Sequence, residues 1–265
     1  MKNLLEGTGA FHARPSAPFL GALVLVGVFA GFPSSTSAQS DDWETVLAPY
    51  VLFGSLNGDA AVGPTGPVPV DLGFGDLVKN LELGAMVHAE AWKGAWGVMV
   101  DFLFMRLGSD LTGPFGGVLD INVDEVIAEA LLGRRFDAPG RQVHLFAGVR
   151  YWDLDVDLDL VALPGAALDL GDRWIDPLVG GRFVKDIAED WFVSVRGDIG
   201  GFGLGSDFSW NVQAGVGYEV SSLFSLVLQY KALDVDFEND GIGTADFLSY
   251  DTTTHGPLLG FVFRF

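Results

Sequence analysis

The chain has 265 residues, carries a formal charge of −20 and contains no cysteine. Such a charge repels phosphate backbones and argues against a nucleic-acid partner, and the missing thiols exclude disulfides and thiolate metal sites. Hydrophobic residues make up 49% of the chain, too many for disorder, yet no run of roughly 18 apolar residues follows the N-terminal region, so no helix is expected to span a membrane.

The N-terminal segment reads as a targeting signal. Lys2 and Arg14 precede a short apolar run over Pro18–Phe32, and Ser35-Thr36-Ser37-Ala38 supplies the small residues of a cleavage site. Residues 1–38 are therefore assigned as a signal peptide of the Gram-negative type, and residues 39–265 as the mature barrel domain.

Ten stretches of alternating apolar and polar residues follow. Their spacers alternate between two kinds. Short ones lie at Trp92–Trp96, Asp137–Arg141, Asp186–Asp190 and Ser221–Ser222, and longer or Gly-rich ones at Leu56–Asn80, Gly108–Leu119, Leu158–Asp172, Gly203–Ser206 and Glu238–Phe247. Tight turns on one side and longer loops on the other are the asymmetry of a bacterial outer-membrane barrel. The fold expected is all-β, a single antiparallel up-and-down transmembrane barrel of ten strands, with eight or twelve as alternatives. Within the first long spacer, Gly66–Gly73 could add a strand, and Asp76–Leu81 could form a helical turn folded inward as a plug.

Asp207–Val220 shows the pattern most plainly. Phe208, Trp210, Val212, Ala214, Val216, Tyr218 and Val220 fall on one face, with Ser209, Asn211 and Gln213 on the other. The period of two marks a strand, and the length suits a tilted bilayer crossing of about 9–11 residues. Aromatic residues near both ends of the apolar face suit the two membrane interfaces. Two strands change phase near their far ends, one beside Tyr151-Trp152 and one around Ala232-Leu233. A bulge would account for this, and so would a strand that leaves the membrane; the neighbouring Tyr151, Trp152 and Tyr230 favour the second.

Turning each polar face inward gives a set of lumen charges: acids Glu82, Glu90, Asp101, Glu129, Asp176, Asp198 and Glu219, bases Arg135, Arg150, Arg182, Arg196, Lys231 and Arg264, together with His88 and His144. Near balance in a narrow, poorly hydrated interior predicts an ion-pair network. Barrels of about eight strands are filled by their own side chains and those of about 16–18 hold water, so a plugged or very narrow lumen is expected. A porin-like pore for small solutes is the alternative.

The surplus acid lies outside. No Lys or Arg occurs between Arg150 and Arg173 or between Lys231 and Arg264, intervals that hold many carboxylates. Asp236, Glu238 and Asp240 are spaced like the start of a calcium loop, but Phe247 stands where the closing acid belongs, so at most weak divalent cation binding is expected and no other cofactor. A lipid-modifying or proteolytic activity is a further alternative. It would need a nucleophile beside His88, His144 or His255, and no such sequence motif appears.

Several blocks resemble an uncharacterised family of bacterial outer-membrane β-barrel proteins: APYVLFGSLNG at Ala48–Gly58, EAWKGAWGVMVDFLF at Glu90–Phe104, AGVRYWDLDVDL at Ala147–Leu158, WIDPLVGGR at Trp174–Arg182, GDIGGFGLGSDFSW at Gly197–Trp210, QYKALDVDF at Gln229–Phe237 and GPLLGFVFRF at Gly256–Phe265. The resemblance implies a barrel in the outer membrane, in contact with its lipid and lipopolysaccharide, and no reaction or ligand. The last block, with Phe261, Phe263 and Phe265 on one face, resembles the recognition signal of the barrel-assembly machinery. The role implied is structural or interactive.

Overall fold

The structure is a computed structural model that describes residues 42–63, 66–112, 118–160, 167–244 and 246–265. The assigned signal peptide and its cleavage site lie outside these residues. The described chain builds twelve strands and one short helix. They are β1 (Trp43–Leu52), β2 (Ser55–Val62), β3 (Val68–Leu72), α1 (Phe74–Asn80), β4 (Leu81–Lys93), β5 (Trp96–Thr112) and β6 (Val118–Ala138). The remainder are β7 (Arg141–Leu160), β8 (Ala167–Asp186), β9 (Trp191–Gly200), β10 (Phe208–Ser221), β11 (Phe224–Glu238) and β12 (Leu248–Arg264).

Among the described residues, ten strands, β1 and β4 to β12, form an antiparallel sheet that closes when β12 pairs with β1. Closure leaves no strand edge to hydrocarbon, the condition for spanning a bilayer with strands. β2 prolongs the line of β1 along β12 without a change of register, from Leu52↔Leu258 to Ser55↔His255. β3 pairs with the other edge of β2. The extra strand anticipated within Gly66–Gly73 is therefore present. The helix anticipated over Asp76–Leu81 is present as α1, but it is not a plug. It lies against the wall with Leu77 buried and Phe74 and Val78 exposed.

Apart from register shifts at Leu81–Leu83 in β4 and Glu219–Ser221 in β10, the strands of the barrel keep the period of two, and the exterior carries an apolar belt. Val98, Val100, Val149, Val195, Val212, Val216 and Leu228 all stand exposed. Near the tight turns the belt ends in aromatics. Trp191 packs on Tyr218 with ring centroids 5.0 Å apart, and Phe224 on Phe263 at 5.1 Å. Tyr230 and Phe208 stand exposed towards the other end. Exposed aliphatics between aromatic girdles are the outer face of a membrane-spanning barrel.

The tight turns fall where the sequence places them, but the opposite ends differ from expectation. β5 to β8 run on for 17, 21, 20 and 20 residues, well past the roughly 9–11 that a bilayer needs. The spacers Gly108–Leu119 and Leu158–Asp172 are thus largely strand, with residues 113–117 and 161–166 outside the described set. The phase changes are not bulges. β7 pairs with β6 and β8 in unbroken register through Tyr151 and Trp152, and β11 pairs with β10 and β12 without a break around Leu233. The geometry holds while the chemistry inverts. His144 and Arg150 point inward below, Trp152 and Leu154 point inward above, and Asp153 takes the outer face beside Arg173.

In that upper part the lumen is filled by a hydrophobic core. Leu103, Ile127, Trp152, Leu154, Trp174, Leu233, Val235, Phe237, Leu248 and Tyr250 form a continuous buried cluster. Trp174 stacks on Phe237 with centroids 3.8 Å apart, and on Trp152 at 5.6 Å. Removing such rings from water stabilises by about 1.5–3 kcal/mol each, an ordinary soluble-protein driving force that acts where no lipid reaches the wall.

Candidate functional site

The site with the most chemistry is the charged layer beneath this core. Arg150 projects inward from β7, two residues past Gly148, whose missing Cβ lets β7 lie against the Ala130 carbonyl of β6. Its guanidinium donates from Nε to Glu129 at 2.8 Å and from Nη2 to Asp198 at 2.6 Å. Arg196, on β9, donates to the other oxygen of Glu129 at 2.6 Å and to Asp198 at 2.9 Å. Asn211 adds a hydrogen bond to Asp198 at 2.8 Å. Two acids and two bases from three strands, β6, β7 and β9, thus close a ring. All four are buried, Arg150 completely. Burial makes an unpaired charge expensive here, and fork-shaped Arg pairing with carboxylates offsets that cost.

Two branches extend from the ring towards the end that carries the barrel's two termini. In the first, Asp101 accepts from the Tyr50 hydroxyl at 2.9 Å and faces His88 Nδ1 at 3.1 Å, while His88 Nε2 faces Glu90 at 2.9 Å. An imidazole that donates from both nitrogens is the charged form. In the second, Arg182 grips Glu90 with both terminal nitrogens and donates to His144 Nδ1 at 2.7 Å. Trp92 donates to Glu90 and packs edge-on against the His144 ring, with centroids 4.8 Å apart. Below these residues a vestibule of about 560 Å³ is lined by Glu44, Arg135, Gln213, Gln229 and Arg264 among others.

Other residues of the anticipated network lie elsewhere. Asp176 is fully buried but, among the described residues, has no cationic partner within 4 Å. Its oxygens accept from the Trp152 indole, the Ser206 backbone and hydroxyl, and the Ser209 hydroxyl. Arg135 turns to Glu44 on β1 through both terminal nitrogens and lies 3.4 Å from Asp137. Glu219 and Arg264 meet at 3.6 Å, half-exposed at the terminal rim. Lys231 is 5% exposed and, among the described residues, has no carboxylate within 4 Å; its ammonium lies 5.9 Å from the Tyr50 ring. Glu82 is not in the lumen. A register shift between Leu81 and Leu83 turns it outward, beside Gly108 on the exterior. The period-two count breaks there because one residue is unpaired.

Sequence reasoning missed Tyr50, Asn211 and Ser209, neutral side chains whose role as donors depends on cross-strand neighbours, and Ser206, which sits in the loop between β9 and β10 where no alternation points it inward. It also missed Glu125, which shares a strand face with Glu129 and accepts from the Tyr250 hydroxyl at 3.2 Å. Asp236 and Glu238 project outward along β11, and Asp240 sits in the turn that follows, closed by Asn239. Two of these carboxylates lie on a strand and the third in a turn, and among the described residues no three acids or histidines converge on a point that could hold a metal ion. At the outer edge of the belt His255 joins the Tyr230 hydroxyl at 2.7 Å and Asn57 at 3.0 Å. Phe261 and Phe263 stand exposed on the exterior face of the last strand, and Phe265, one residue beyond it, is exposed at the mouth of the vestibule.

No family model and no curated protein matches the chain. Solved structures do. The outer membrane protease OmpT from Escherichia coli superposes with a TM-score of 0.56 at 10% identity, covering 87% of this chain and 99% of that one. The translocator domain of the autotransporter NalP from Neisseria meningitidis gives 0.42 at 12% identity, covering 85% and 90%. Neisserial surface protein A gives 0.37 at 12%, covering 84% and 97%. The likeness to OmpT is one of fold. That fold, with an exterior belt that hydrocarbon must cover, makes this chain an outer-membrane β-barrel.

Proposed function

We propose that the protein is a non-conducting integral barrel whose role is structural or interactive. The observation that carries this reading is the ring of Glu129, Arg150, Arg196 and Asp198, buried across the lumen directly beneath an apolar core. An ion entering from the terminal end would have to break paired charges and then cross a dry stack of Trp152, Trp174 and Phe237. The acidic exterior above the belt serves as the contact surface, and the belt itself holds outer-membrane lipid and lipopolysaccharide. Phe261, Phe263 and Phe265 act as the assembly signal. Planar-bilayer recording of the purified mature protein tests the reading. No steady conductance steps are expected; reproducible single-channel steps would favour the rival, a narrow pore for small solutes.

A further inference from the structure

The barrel wall divides on one side. β1 pairs with β4 from Trp43↔Lys93 only as far as Pro49↔Val87. Beyond that point the line continues as β2, whose free edge is taken by β3, while β4 from Leu81 to Met86 pairs with β5 alone. A seam is left between β2 and β4, and α1 lies over it. Behind the seam is a cavity of about 70 Å³, walled by Leu56, Leu77, Met86, Leu103 and Ile127. Its polar lining is Lys231, Glu125 and Thr254. Glu125 is engaged by the Tyr250 hydroxyl, whereas Lys231 is buried with no hydrogen bond or ion pair among the described residues.

The mouth is apolar and faces outward. Phe53, Phe74, Val78, Leu81 and Leu83 are all exposed there. Its depth in the membrane is fixed by Phe53, whose amide donates to the Pro257 carbonyl, the residue paired with Tyr230 at the outer edge of the belt. A passage at the outer-leaflet interface thus leads through greasy side chains to a buried cation whose neighbouring carboxylates, Asp101, Glu125 and Glu129, lie beyond ion-pair distance.

We propose that this seam binds a single-chain anionic amphiphile of the bilayer, a long-chain carboxylate, with its head group on Lys231 and its chain passing out beneath α1. The size agrees. A cavity of about 150 Å³ holds a benzene-sized guest, so the space here, less than half as large, admits the carboxylate head, and the chain lies among the exposed apolar residues of the mouth. A two-chain lipid with a bulky head does not fit. The charge agrees too, since a carboxylate in the cavity would give Lys231 the direct ion pair that its more distant carboxylate neighbours do not.

The test uses the mature protein in non-ionic detergent, with labelled oleate and its neutral methyl ester. Oleate is expected to bind saturably at one site per chain, and the ester at least tenfold more weakly. Lys231→Met should abolish the difference between the two, and Glu125→Gln should tighten oleate by removing a nearby negative charge. Because the chain has no cysteine, Leu77→Cys gives a unique thiol whose maleimide labelling oleate should slow and the ester should not. Equal binding of acid and ester to the unaltered protein, or no saturable binding, would overturn the proposal. This outcome is independent of conductance, so the closed-lumen reading can stand or fall separately.

Discussion

Arg150 donates to Asp198 across 2.6 Å in a place where neither side chain reaches solvent. Removing one member of such a pair leaves the other buried and uncompensated, which costs about 3–5 kcal/mol. Arg150→Met is expected to lose that much in urea unfolding from lipid vesicles. A double replacement, Arg150→Met with Glu129→Gln, should recover part of the loss, because it removes one charge of each sign and leaves Arg196 paired with Asp198.

The apolar core above the ring acts separately. Trp174→Ala deletes the ring stacked between Trp152 and Phe237 and is expected to cost about 3–5 kcal/mol. It should not open a conducting path, because the charged layer beneath is untouched. Conductance steps in Trp174→Ala alone would show that the core, and not the ring, is the seal.

Two exterior carboxyls give pH slopes of opposite sign. Asp236 is held above the ordinary carboxylate range, first by burial and then by Asp251, Asp207, Asp234 and Glu238. Folding therefore favours its protonated form, and the contribution present below the unfolded value is lost as pH rises through the folded one. Asp236→Asn should raise stability at neutral pH and leave it unchanged in acid. Asp124 is held below its ordinary range by the hydrogen bond from Arg106. Its contribution is present above the unfolded value and lost as pH falls. Asp124→Asn should therefore weaken the fold at neutral pH and have no effect in acid. Thermal unfolding across a pH series measures both.

Gly148 lies on β7 against β6, with no room for a Cβ against the Ala130 carbonyl. Gly148→Ala should force the strands apart beside Arg150 and cost about 1–3 kcal/mol. Gly203, with open space around it, has a positive φ of 70°, so Gly203→Ala should show backbone strain alone, a smaller loss of about 1 kcal/mol. The ratio of the two losses, read from unfolding midpoints, checks the assignment.

Period, turns and belt were legible in the sequence because each depends on residues close in the chain. Val212 and Val216 face outward for the same reason that Ser209 and Asn211 face inward. The partners of the inward charges were not legible. Arg182 meets Glu90 from 92 positions away, and Arg135 meets Glu44 from 91. Those meetings depend on register around the closed ring. Glu82 escaped because one unpaired residue reverses every face beyond it. The phase change at Tyr151-Trp152 was visible, and the structure supplies its reason: the surroundings of the strand change from hydrocarbon to water while its geometry does not.

That reversal has a mechanical meaning. A wall that is uniformly greasy can slide up or down within a bilayer at little cost. This one cannot. Sinking by a single residue pair would carry Asp153 and Asp234 into hydrocarbon, and rising by the same step would strip lipid from Tyr218 and Phe263. The barrel is keyed to one thickness of membrane, and thinning or thickening the surrounding leaflet would press on the same strands whose inner faces hold the stacked tryptophans.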